Sequence, residues 1–153
     1  MTQEEKQLLL KDLSARLPYG VMMKVSHLSH PIALDEFVLF TIKTGKEEGI
    51  PYLRPMSSMT EEELKELNDK YGNIAYFFIQ KPPYYHGLQA QHEDIGSIEI
   101  SEFSKIYDWL NAHHFDYRCL IEKGLALEAP EGNHKENIYI YMIGIPNYLV
   151  TKL

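Results

Sequence analysis

The segment SSMTEEELKELNDKYG, residues 57–72, is the feature that most constrains the fold of this chain. Thr60 and Glu63 have the spacing of a capping box, in which each side chain binds the backbone N–H of the other residue. Gly72 then supplies a C-terminal stop. Apolar residues recur between these signals at helical spacing, at Leu64, Leu67 and Tyr71. The segment predicts a helix over residues 61–71.

Three further helices are predicted. A capping pattern at Thr2 and Glu5 begins a helix over residues 3–17, which Pro18 and Gly20 end. Ser101 is predicted to cap a third helix, which ends near residues 111–114. A short fourth helix is predicted to run from an Asp116 cap to Lys123, with Gly124 as its terminator.

Other segments are rich in β-branched and aromatic residues and predict strands. They are VMMKVSHL (21–28), EFVLFTIKT (36–44) and IAYFFIQ (74–80). LALEA (125–129) and NIYIYMIGI (137–145), joined by a long turn-rich connection, predict a hairpin. IPYLRPM, residues 50–56, is predicted to be extended, and its two prolines allow only an edge position in any sheet. Residues 82–97 show no clear period and are predicted to form a long loop.

The chain has 153 residues, 44% of them hydrophobic, which suits one folded domain with a real core. We therefore predict a single α+β domain over residues 1–153. Its sheet is mainly antiparallel, with room for one parallel pair, and is covered on one face by three or four helices.

Cellular location is indicated by three sequence features. Cys119 is the only cysteine, so no internal disulfide can form, which suits a reducing compartment. The N-terminus MTQEEKQLLLKDL lacks the basic start and uninterrupted apolar stretch of a secretion signal. The longest apolar run, around IYIYMIGIP, is about half of the roughly 20 residues that span a membrane. A cytoplasmic protein is predicted.

Net charge is −7 and is concentrated in two segments. Residues 57–70 hold five acids and two lysines, and residues 91–108 hold five acids and one lysine. Binding a nucleic-acid backbone normally needs a concentrated basic stripe, which the sequence lacks. The charge pattern disfavours nucleic acid as a ligand and leaves it as an alternative.

The densest group of chemically capable side chains is NAHHFDYR, residues 111–118. His113 or His114 with Asp116 has the groups to bind a divalent metal or carry a proton, while Arg118 holds an anion. The favoured interpretation is structural, because polar and cationic residues are common at helix C-termini and Asp is a common cap.

A second histidine group lies in HGLQAQHED, residues 86–94. His86, His92 and Asp94 are ligand types for zinc, manganese or iron, but their spacing matches no recognised site. A solvated loop is the favoured interpretation, and no cofactor is predicted. The sequence also contains no nucleophile elbow, Walker loop or dinucleotide-binding glycine pattern.

Tyrosines give a different clue. Tyr139 and Tyr141 alternate with aliphatic residues and would line one face of a strand, while Tyr84 and Tyr85 lie in the predicted loop. Exposed tyrosines suit a protein interface, because each offers a large contact area and a hydroxyl. The favoured alternative is that these rings cover the second side of the sheet.

Three strings carry a resemblance: LLLKDLSARLPYGV, YLRPMSSMTEEE and DWLNAHHFDYRCLIEKGLALEAPEG. They resemble a family of proteins without assigned activity from anaerobic gut bacteria and their phages and mobile elements. The resemblance covers residues 1–21, 50–66 and 107–132. It implies a bacterial or phage-like intracellular protein and transfers no residue role. Glycine is more usual in that family at the position of Cys119, which argues against a catalytic thiol.

Three functions are open from the sequence. The first is a non-enzymatic interaction or regulatory protein that meets a protein partner through its acidic helix surface and tyrosines. A winged-helix-like nucleic-acid binder is the second, since helix, turn, helix and hairpin occur in that order, and it requires Arg118, Lys123 and Lys135 on one face. The third is a metal-dependent hydrolase that joins the two histidine groups.

Overall fold

The structure is a computed structural model that describes residues 1–71, 77–79, 88–90 and 100–130. The predicted α+β fold is confirmed, because helices accompany a four-stranded mixed sheet. The described elements are, in chain order, α1 (Gln3–Arg16), β1 (Met22–Val25), β2 (Ile32–Ala33), α2 (Glu36–Lys43), β3 (Gly49–Leu53), α3 (Glu61–Tyr71), β4 (Phe77–Ile79), β5 (Leu88–Ala90), α4 (Ile100–Ala112) and β6 (Leu127–Glu128).

Two compact units contain these elements. One comprises Met1–Arg54 together with residues 120–130, and the other lies within Pro55–Cys119. A single domain over residues 1–153 stays a prediction, because a compact unit can be part of a larger domain.

Helix α1 forms as its sequence predicts. The Thr2 amide donates to Glu5 Oε2 at 2.6 Å, and the Glu5 amide donates to Thr2 Oγ1 at 3.1 Å, which completes the capping box. A short 3₁₀ turn at Leu17–Tyr19 follows, and Gly20 then adopts a left-handed φ of 56° that ends the helical path.

The sheet of the first unit has the strand order β2-β1-β3-β6. β1 is antiparallel to both β2 and β3, whereas β3 and β6 are parallel. The expected antiparallel character with one parallel pair is therefore present. LALEA contributes only its Leu127–Glu128 portion as strand, and the predicted partner at residues 137–145 lies outside the described residues.

The prediction that IPYLRPM lies at a sheet edge is wrong, because β3, which contains Pro51, lies between β1 and β6. The Ser26 amide donates to the Glu48 carbonyl, so alternation along β3 makes Pro51 a position that does not donate toward β1. On its other side, β3 pairs with β6 only from Tyr52 onward. The missing N–H of proline is thus never required, and the strand can be internal.

Helix α2 corrects a second prediction, because EFVLFTIKT was expected to be a strand. Asp35 caps the segment by accepting the Val38 amide at 2.8 Å. Val38 and Ile42, four residues apart, are both buried on one helix face. Eight residues are too few for periodicity to outweigh β-branched and aromatic content, so the local cap and the tertiary core decide the outcome.

A continuous core joins α1 and α2 to one face of this sheet. The apolar residues of this core are Leu9, Leu13, Val21, Met23, Val25, Leu34, Val38, Ile42, Leu53, Leu120, Leu125 and Ala126. Arg16 and Asp12 are also fully buried on α1, where Arg16 forms a two-point ion pair with the carboxylate at 2.7 and 3.1 Å. A smaller cluster of Met22, Tyr52, Ala129 and Leu127 occupies the opposite face.

The second unit is centred on α3 and α4. The predicted capping box of α3 is present, with the Thr60 amide 2.9 Å from Glu63 Oε2 and the Glu63 amide 3.1 Å from Thr60 Oγ1. Ser101 was expected to cap α4 but lies inside it, because the helix begins at Ile100. The core of this unit consists of Met56, Leu67, Ile106, Trp109, Leu110 and Phe115.

The predicted loop over residues 82–97 contains a strand that the sequence analysis missed. β5 pairs antiparallel with β4 in a two-stranded sheet, with Phe77 opposite Ala90. Three residues are too short for an alternating pattern to stand out. As for membranes, no helix within the described ranges combines the length and the apolar character needed to cross one.

We expect Asp35→Ala to lower the free energy of unfolding by about 1 kcal/mol, because the Val38 amide loses its acceptor. Asp35→Asn keeps a side-chain oxygen at the cap and should cost much less. Urea unfolding followed by circular dichroism would measure both. Equal losses in the two variants would show that the cap does not hold α2.

Burial raises the pKa of the Tyr52 phenol above its ordinary value of 10.0. The unfolded chain therefore releases this proton at a lower pH than the folded chain, and the stability from the neutral phenol is lost as pH rises above about 10. We expect the free energy of unfolding of Tyr52→Phe to change less with pH than that of the wild type between about pH 9 and 11. Parallel urea titrations would give the difference, and identical pH profiles would contradict it.

Candidate functional site

The NAHHFDYR segment ends α4 in a Schellman motif. The His114 amide donates to the Asn111 carbonyl at 3.1 Å, and the Phe115 amide donates to the Leu110 carbonyl at 2.9 Å. His114 adopts a left-handed φ of 60°. Phe115 and Leu110 are both fully buried and supply the hydrophobic contact that accompanies this motif. The segment therefore serves as the C-terminal cap of α4, in line with the structural interpretation of its sequence.

His113 is engaged by the helix that it ends. Its Nδ1 lies 2.9 Å from the Trp109 carbonyl oxygen, which can only accept, so Nδ1 carries the hydrogen. Its ring stacks on the Trp109 indole with centroids 3.9 Å apart and planes at 24°. These contacts fix the imidazole beside α4.

Asp116 does not begin a fourth helix, so that prediction is wrong. Residues 116–123 form turns, and Cys119 adopts a left-handed φ of 57° that interrupts any helical path. A single turn is closed by the Leu125 amide on the Leu120 carbonyl, and Gly124, at φ 71°, lies within this turn rather than at the end of a helix. Glycine adopts such φ values without steric cost, whereas cysteine does not.

Arg118 and Tyr117 form a short polar chain with the end of α4. The guanidinium lies over the Tyr117 ring, 4.9 Å from its centroid, and donates to the Tyr117 hydroxyl at 3.1 Å. That hydroxyl donates to Asn111 Oδ1 at 3.0 Å. Among the described residues, no group of three His, Cys, Asp or Glu side chains is placed to hold a metal ion.

Seven other predicted site residues cannot be placed beside this segment. Lys135 of the nucleic-acid alternative is likewise not described. The residues that lie outside the described part of the chain are Tyr84, Tyr85, Tyr139 and Tyr141 of the tyrosine surface and His86, His92 and Asp94 of the possible metal site.

The acidic surface of α3 is present, and part of it has a structural task. Glu66 accepts the Trp109 indole N–H at 3.1 Å, which ties α3 to α4. The exposed charges of this surface are of both signs, with Lys65 and Lys70 among Glu61, Glu62, Glu66 and Asp69. Mixed signs at helical spacing are typical of a solvated helix face.

The outer face of α2 is the unusual surface that the sequence analysis missed. Phe37 is 73% exposed and Phe40 is 55% exposed, although both are large apolar side chains. Lys46 places Nζ 5.9 Å from the centre of the Phe40 ring. Asp35 followed by the aliphatic residues Val38 and Ile42, four positions apart, was the available signal, since this pattern predicts a capped helix with the phenylalanines outside.

Comparison with models of known protein families, with curated proteins and with solved structures found no match.

We expect His114→Val to lower the free energy of unfolding by about 1 kcal/mol or more relative to His114→Asn. Asn tolerates a left-handed φ, whereas a β-branched side chain is strained there, and both variants lose the imidazole alike. Chemical unfolding of the two purified proteins would measure the difference. Equal stabilities would show that the left-handed φ at this position carries no cost.

Proposed function

We propose that this chain is a non-enzymatic interaction or regulatory protein that binds a protein partner through the outer face of α2. The supporting observation is the exposure of two adjacent aromatic rings, Phe37 and Phe40, on a helix whose other face is buried in the core. The acidic surface of α3 and the four predicted interface tyrosines remain part of this proposal as further contacts.

Exposed phenylalanines favour binding for an energetic reason. Covering apolar surface gains roughly 25 cal/mol per Å², and aromatic anchors often dominate interface energies. Phe37 and Phe40 are three residues apart and therefore neighbours on the helix surface. A rigid helix presents both rings with little ordering cost, which is the arrangement that helix-in-groove recognition uses.

The engagement of the NAHHFDYR side chains also favours an interaction protein over a hydrolase. His113 is stacked and hydrogen-bonded at a helix end, and Arg118 is held by Tyr117. The other histidine group of the hydrolase hypothesis is not described, so that hypothesis stays a prediction. The nucleic-acid hypothesis required a recognition helix within residues 116–123, and those residues form turns instead.

The location belongs to the same proposal. The single Cys119 is consistent with a reducing cytoplasm. The resemblance to proteins of gut bacteria and their phages supports a bacterial or phage origin.

The test is a tagged pull-down of the full chain from native-host lysate, divided into nuclease-treated and untreated halves. Bound proteins, including untagged copies of this chain, are fixed by chemical crosslinking before the washes and identified by mass spectrometry. We expect a protein to be recovered equally from both halves. Changing Phe37→Ser and Phe40→Ser together should reduce its recovery at least about tenfold, because both aromatic anchors are removed.

A matched control is Tyr107→Ser, which removes a half-exposed ring from α4 in the other unit. The control should bind normally, and circular dichroism should show all variants folded, since exposed positions contribute little to the core. Undiminished capture by the Phe37/Phe40 variant would overturn the proposed surface. Recovery that disappears after nuclease would instead support the nucleic-acid hypothesis.

A further inference from the structure

The outer face of α2 carries charges of opposite sign on the two sides of its aromatic centre. Glu36, Phe40 and Lys43 are separated by four and three residues, so they form one stripe along the helix, and all three are exposed. Phe37 lies beside this stripe. A wholly acidic or wholly basic partner would meet repulsion at one end.

The spacing of the stripe makes it complementary to itself. At 1.5 Å per residue, Glu36 lies about 6 Å from Phe40 along the helix, and Lys43 lies about 4.5 Å from Phe40 in the opposite direction. When two such helices pack antiparallel about a two-fold axis at Phe40, Glu36 of one helix and Lys43 of the other lie at nearly the same height along the helix axes. The two-fold operation repeats the pairing on the other side.

We propose that the outer face of α2 docks the same face of a second copy of this chain, as an antiparallel pair centred on Phe40. Glu36 of each copy lies beside Lys43 of the other, and the Phe37 rings flank the centre. The inference rests on the proposed function, because it names the partner of the same surface.

The size of the surface determines the strength of this association. One eight-residue helix offers much less than the roughly 800 Å² per partner of a stable interface. The dimer is therefore weak and dynamic, with a dissociation constant of roughly 10⁻⁵ to 10⁻³ M. The charge pairs contribute orientation and selectivity more than affinity.

The test is analytical ultracentrifugation of the purified full chain over a concentration series up to about 1 mM, the upper limit of that range. We expect reversible dimerisation that Phe40→Ser weakens at least about tenfold. Glu36→Lys and Lys43→Glu, tested singly, should each weaken it about tenfold, because two attractive pairs become repulsive. The double variant should regain dimerisation.

Mixing the two single charge variants gives the sharper measurement. In the mixed dimer, Lys at position 36 of one chain meets Glu at position 43 of the other, and the native pair forms on the opposite side. The mixture should therefore associate about as well as the wild type. A folding defect at either helix end could not be repaired in this way. Asp108→Lys, a charge reversal of the same sign at an exposed position of α4, should leave dimerisation unchanged.

A chain that stays monomeric throughout the concentration series would overturn this inference. Association that the charge variants leave unchanged, or that mixing fails to restore, would overturn it as well. A monomer that still captures another protein through Phe37 and Phe40 would leave the proposed function intact. If the chain neither self-associates nor captures a protein through Phe37 and Phe40, the proposed function is overturned too.

Discussion

The alternation of side chains along β1 and β3 is the constraint on which the first unit depends. Adjacent residues of a strand point to opposite faces, so Met23 and Leu53 enter the large core while Met22 and Tyr52 enter the smaller cluster. The large core needs a cover of helices, which α1 and α2 supply with Leu13, Val38 and their neighbours. Burial of that face of α2 leaves its aromatic outer face in solvent.

The buried ion pair of α1 follows from the same packing. Asp12 and Arg16 lie one turn apart on a helix whose neighbouring residues, Leu9 and Leu13, are in the core. The two-point geometry compensates much of the cost of removing both charges from water. Such a pair adds little net stability, but loss of one partner would leave a charge in the core.

Local signals made some elements predictable. Thr2 with Glu5 and Thr60 with Glu63 specify helix starts within four residues, and the structure contains both capping boxes. Helix α2 was not predicted, because its β-branched and aromatic residues favour a strand and Asp35 is the one local signal for a helix start. The internal place of Pro51 could not be predicted, because it depends on β6, which is distant in the sequence. At NAHHFDYR the end of α4 was predictable, but the left-handed φ of Cys119 interrupts the expected fourth helix.

The parallel pairing of β3 with β6 has a consequence for the order of folding. β1, β2 and β3 are close in sequence and can pair as soon as they leave the ribosome, whereas Tyr52 must wait for Leu127. The whole of Pro55–Cys119 is synthesised between these two partners. Closure of so long a loop carries an entropic penalty that a compact intervening unit reduces. During synthesis three strands of the sheet are therefore available first, and the edge of β3 that pairs with β6 has no partner strand until Leu127 has been made.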